Sequence, residues 1–168
     1  YLSSTFRAND VFNQDLSNWN TSAVTHMIQT FMSNTVFNNS QSAGVSNTLQ
    51  WDTSSVRRMD SMFEVANAFN CNISNWNVSN VNYMWLMFGD AHRFNQPLNT
   101  NGDNWNTSRV TNMYRMFYEA TAFNQDISNW DFSKVINMYS MFEEAKNFNQ
   151  ENSKWSVSKV TCMNSMFQ

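Results

Sequence analysis

Phe123–Asn147 reads FNQDISNWDFSKVINMYSMFEEAKN, and Phe69–Arg93 reads FNCNISNWNVSNVNYMWLMFGDAHR. With the Trp of each as position zero, both carry Ser at +3, Val at +5, Met at +8 and +11, and Phe at +12. The frame extends in both directions. Trp19, Trp51, Trp76, Trp105, Trp130 and Trp155 are each followed by Ser, Val, Met and Phe at those offsets, with Met at +8 in every case. A Phe–Asn pair opens each unit at Phe12, Phe37, Phe69, Phe94, Phe123 and Phe148, in steps of 25, 32, 25, 29 and 25 residues. Self-similarity at such a period is the signature of a stack in which each unit packs mainly on its neighbours. Residues 1–168 are therefore expected to form one solenoid segment with repeats starting near 12, 37, 69, 94, 123 and 148. The chain enters and leaves the pattern mid-repeat, so a longer array is expected.

The frame accounts for nearly all the large apolar residues. Of 14 Phe, seven fall at +12 and six open repeats. Of 12 Met, six fall at +8 and five at +11. These are core slots. Buried ladders are expected for the six Trp residues and for Phe63, Phe88, Phe117 and Phe142, and a hydrogen-bonded ladder that turns the backbone for the Asn after each opening Phe, at Asn70, Asn95, Asn124 and Asn149. The two longer steps gain their extra residues between the Phe–Asn pair and the Trp, in 38–50 and 95–104. Those stretches contain Gly44, Pro97 and Gly102, as loops at one edge of a stack would.

Within a repeat, the short punctuated segments at 72–76 and 126–130 suggest one brief parallel strand. Met113 to Ala120 and Met138 to Ala145 space apolar residues at i, i+3, i+4 and i+7, the face of a two-turn helix. The expected fold class is an α/β repeat solenoid, a stack of about six 25-residue units with one short strand and one short helix each. The string FNQDISNWDFSKVINMYSMFEEA resembles the repeat of the BspA-like bacterial surface-protein family, close to F-N-x-D-I-S-x-W-x-T-S-x-V-x-x-M-x-x-M-F-x-x-A, across all six copies. Thr30, Asn34, Asn152 and the two insertions depart from it. That resemblance implies a leucine-rich-repeat-like solenoid, cell-surface or extracellular display, and adhesion.

Net charge is −3 with 14% charged residues, which leaves no electrostatic footprint for nucleic acid. No apolar run reaches the length of a membrane span. Cys71 and Cys162, four repeats apart, read as small hydrophobes rather than a bridge. Sequons occur at Asn20, Asn38, Asn72, Asn77 and Asn106. His26 and His92 lie in different frame positions without a sequence-adjacent Cys or Asp partner, and the Met-x-x-Met pairs are locked into core slots. No metal, cofactor or catalytic residue is therefore expected, and the acidic residues Glu64, Asp90, Glu119, Glu143 and Glu144 read as a solvated face.

One position breaks the constancy. At +9 the repeats carry Ile28, Asp60, Trp85, Tyr114, Tyr139 and Asn164, so three successive repeats turn aromatic. Trp85, Tyr114 and Tyr139, with Arg115 beside them and Tyr118 a turn on, form a candidate binding stripe, flanked by the loop 95–104. A weaker basic line, Arg109, Lys134 and Lys159, lies at +4. The expected function is a non-enzymatic recognition or adhesion module for a protein or glycan. The alternative is a scaffold subunit docked to neighbouring subunits in a larger assembly.

Overall fold

A computed structural model describes residues 1–40, 47–98 and 104–168. Its rings stack repeat upon repeat in three columns. At +12, Phe31, Phe63, Phe88, Phe117 and Phe142 lie face to face, with successive centroids 5.4–5.8 Å apart. The opening Phe residues form a second column, 5.7–6.2 Å apart from Phe37 to Phe148. Within each layer an opening Phe also sits 3.7–4.1 Å from a +12 ring, as Phe6–Phe12, Phe63–Phe69 and Phe117–Phe123 do. Trp51–Trp76 and Trp105–Trp130 make near-parallel pairs in the third column, with interplanar angles of 1° and 2°. The indole N–H of Trp76 donates to the Leu49 carbonyl at 2.8 Å and that of Trp130 to Leu98 at 3.0 Å. Each donor is thus satisfied by the preceding repeat, which lets a polar atom enter the core without penalty. Phe63, Phe88 and Phe117 are wholly buried, as are Val56, Val81, Val110 and Val135 at +5, whereas the expected burial fails at Trp19, which is 42% exposed, and is incomplete at half-buried Trp155.

The expected α/β solenoid, a leucine-rich-repeat-like stack with a helix and a strand in each unit, is not what the chain forms. No helix occurs among the described residues, and β-structure is confined to isolated bridges. The segment expected to be helical shows why. In 59–66, the N–H of Met62 bonds the Met59 carbonyl at 3.2 Å and that of Ala66 bonds Phe63 at 3.0 Å. Ser61 and Val65, third in each of these turns, have φ of 51° and 58°. Positive φ at that position defines a tight turn and breaks a right-handed helix. The same conformation recurs at +10 (Gln29, Leu86, Arg115, Ser140, Ser165) and at +14 (Ser33, Asp90, Glu119, Glu144). Two four-residue turns in tandem, Met-x-x-Met and Phe-x-x-Ala, produce the i, i+3, i+4, i+7 pattern that a helix also gives. Over eight residues the periods four and 3.6 are indistinguishable.

The N–H groups that a helix would use internally point instead to the next repeat. Met59, Ser61, Phe63 and Val65 donate to the carbonyls of Tyr83, Trp85, Met87 and Gly89 at 2.8–3.1 Å. The same rungs join Met84, Leu86, Phe88 and Asp90 to the repeat after. Parallel bridges follow this line through His26, Arg58, Tyr83, Asn112, Asn137 and Cys162 at +7. The strand-like register therefore runs up to and through the segment read as helix. The segment read as strand is a turn: the Trp76 N–H bonds the Ile73 carbonyl, and the Asn72 side chain caps the N–H of Ser74. A second such cap sits at +1, where Asp52, Asn77, Asn106 and Asp131 accept the N–H of the Ser at +3. These are Asx turns, in which a short polar side chain takes a backbone donor two residues on.

The Asn after each opening Phe joins neighbouring layers. The side-chain carbonyl of Asn70 accepts the N–H of Asn95 at 2.9 Å, Asn95 accepts from Asn124 at 3.0 Å, and Asn124 accepts from Asn149 at 2.9 Å. Gln96, Gln125 and Gln150 donate to the same oxygens from the following repeat. The backbone is held here by amide side chains where sheet bonding is lacking.

Candidate recognition surface

The +9 column begins with the backbone that presents it. The N–H of Tyr114 is held by the side chain of Asn112 at 2.9 Å, and the N–H of Tyr139 by Asn137 at 2.9 Å. Asn at +7 occurs in these two repeats alone, and their Asx turns set both tyrosines in one orientation. The rings stack at 5.6 Å and 15°. Arg115, at +10 with φ of 50°, donates its backbone N–H to the Tyr139 carbonyl and carries its side chain back over the rings. Its guanidinium carbon lies 5.4 Å from the Tyr114 centroid, 5.8 Å from Tyr139 and 4.6 Å from Tyr118. One cation thus faces three aromatic rings, within the range where ring quadrupoles attract it. The Arg115 Nε is buried and has no hydrogen-bond acceptor. All four side chains are half-buried.

Trp85 stands in the same column one repeat earlier, also half-buried. Residues 99–103 of the proposed flanking loop lie outside the described residues. Arg109, Lys134 and Lys159 are exposed, and Arg109 donates to the Asn80 side chain at 2.8 Å. Asn112 and Asn137 went unremarked in the sequence, although their place two residues before each Tyr was visible there.

Two further groupings border this surface. Asp60, the +9 residue before Trp85, is fully buried; its Oδ2 meets the Arg58 Nε at 2.6 Å while Oδ1 has no partner. Burial raises the Asp60 pKa, against the opposing pull of Arg58. Arg58 in turn covers the Tyr83 ring at 5.2 Å. On the other side, Asp90, His92 and Glu119 offer ligand atoms that all lie within 4.8 Å of one another. The frame contained that signal too: Asp90 and Glu119 share the +14 column, and His92 is two residues from Asp90. Burial, reinforced by Glu119, raises the Asp90 pKa. A hydrogen bond to Glu119 is the main cause that pushes the Tyr118 phenol up to about 12. Burial also pushes the Cys71 thiol up to about 12, and both cysteines are free.

A family described as "Mycoplasma protein of unknown function, DUF285" matches residues 1–102 and again 98–168. In general terms that family corresponds to the BspA-like surface-protein repeats. No curated protein and no solved structure matches the chain. No helix among the described residues is long and apolar enough to cross a membrane.

Proposed function

We propose a recognition role for this chain, which belongs to the DUF285 family of Mycoplasma proteins of unknown function. The protein acts as a non-enzymatic adhesion or recognition module displayed at a cell surface or outside the cell, and binds a protein or glycan through Tyr114, Arg115, Tyr118 and Tyr139, with Trp85 at the border. The observation that carries this reading is the cation held over three tyrosines, with a buried Nε lacking an acceptor. Tyr and Arg are also the residues that dominate binding hot spots, because they bring area and donors at little entropic loss. Flat sugar faces and peptide side chains both suit such a platform.

The test uses Arg115→Asn, because Asn tolerates the positive φ at that position, together with Tyr118→Ser. Binding is measured on a glycan array and on intact host cells, with melting temperature as the control for folding. Attachment is expected to fall at least tenfold while the melting temperature stays within a few degrees. Unchanged attachment by both variants would refute the assignment. Glycan-array signal with protease-resistant cell binding identifies a sugar ligand; protease-sensitive binding identifies a protein.

A further inference from the structure

We propose that Asp90, His92 and Glu119 form a binding site for a divalent transition-metal ion of the zinc class, which clips two successive repeats together. The three residues come from adjoining layers: Asp90 and His92 from the repeat of Trp76, Glu119 from that of Trp105. Their donor atoms already lie within 4.8 Å of one another. A tetrahedral ion with bonds of about 2.0–2.2 Å needs donors roughly 3.4 Å apart, a gap that small rotations of half-buried carboxylates close. An imidazole with two carboxylates selects zinc-class ions over calcium or magnesium, which prefer all-oxygen shells.

The histidine is already oriented for the task. Its Nδ1 lies 2.9 Å from the backbone carbonyl of Glu119. A carbonyl only accepts, so Nδ1 donates there, which leaves Nε2 as the nitrogen that would take the ion. The two carboxylates bring two negative charges to the site, which a divalent ion neutralises. The positive charge of Arg115 reaches Asp90 and opposes the ion, so the site is one of moderate affinity. The combination occurs at one junction. The equivalent positions one layer earlier are Val65, Asn67 and Asp90, and one layer later Glu119, Thr121 and Glu144, neither of which supplies an imidazole.

The test is calorimetric titration of the metal-free protein with zinc chloride, repeated with cobalt(II) to read coordination from its visible absorption, and with calcium as competitor. The wild type is expected to bind one zinc ion per chain, with a rise in melting temperature that excess calcium does not prevent. His92→Ala should abolish binding, and Asp90→Asn and Glu119→Gln should each weaken it at least tenfold. Cys162→Ser, the control for adventitious thiol binding, should leave it intact. Failure of the wild type to bind zinc below about 100 μM, weaker than the micromolar-or-better range of a working site, would overturn the proposal. So would calcium binding as tightly as zinc, loss of binding in Cys162→Ser, or zinc affinity unaltered in both His92→Ala and Glu119→Gln.

Discussion

Ser140 provides a substitution whose sign separates a turn-built repeat from a helical one. It occupies +10 with φ of 53°, is wholly buried, and its hydroxyl has no hydrogen-bond partner. Ser140→Ala removes the unmatched hydroxyl, worth about 1–3 kcal/mol, but keeps a side chain in the left-handed region. Ser140→Gly also relieves that strain of about 1–2 kcal/mol and loses roughly 0.5–1 kcal/mol to the greater freedom of the unfolded chain. A small void removes a further ~0.5–1 kcal/mol. Relative to wild type, Ser140→Gly is therefore expected to stabilise by about 1–2 kcal/mol. Relative to Ser140→Ala the relieved strain offsets the chain freedom and the void, so the two variants should agree to within about 1 kcal/mol. In a helix the Gly variant would instead fall below the Ala variant by the propensity difference plus the same void, ~1.3–2.0 kcal/mol in all. Paired urea melts followed by tryptophan fluorescence measure the difference directly. A Gly variant about 1.5–2 kcal/mol less stable than the Ala variant would refute the turn assignment.

Phe117→Ala, in the middle of the +12 column and wholly buried, should lower stability by about 3–5 kcal/mol in the same melts. Native protein should react with one equivalent of a thiol reagent, at half-exposed Cys162, and with two only after unfolding, because Cys71 is buried with its thiol pushed up to about 12. For Asp60 the folded-state pKa lies above the unfolded one because burial outweighs Arg58. The folded chain then holds its proton more tightly, and stability falls as pH rises from the unfolded pKa through the folded pKa. Asp60→Asn abolishes that loss, so its stability relative to wild type should increase between pH 4 and pH 7, as read from melting temperature; a constant gap across that range would contradict the burial of the charge.

The aromatic columns were legible because each side chain recurs at a fixed offset, and a residue such as Phe88 can only meet Phe63 and Phe117 if repeats stack. The Asn70–Asn95–Asn124 rungs could be anticipated on the same ground. The backbone between them could not. Positive φ normally announces itself as Gly or Asn, yet here it falls on Ser61, Val65, Leu86, Arg115 and Glu119. Val65, Leu86, Arg115 and Glu119 carry no turn signal, and the stack imposes the conformation by taking their N–H groups into the next layer. Tyr114 and Tyr139 stood out as a break in an otherwise constant frame. Arg115 could be placed beside them but not over them, since its reach across three rings depends on the left-handed turn at its own Cα. His92 was judged by its sequence neighbours, whereas Glu119, the residue that completes its grouping, lies 27 positions on and one layer up.

The central claim is that the Met-Phe segment bonds between repeats and not along itself. Scalar coupling across hydrogen bonds, measured by NMR on protein labelled with nitrogen-15 and carbon-13, identifies the acceptor of a single amide. The N–H of Phe88 donates to the Met116 carbonyl at 2.9 Å, whereas a helix would direct it to Met84, four residues back. A coupling from the Phe88 nitrogen to the Met116 carbonyl carbon is the predicted result; a coupling to the carbonyl carbon of Met84 would contradict the account.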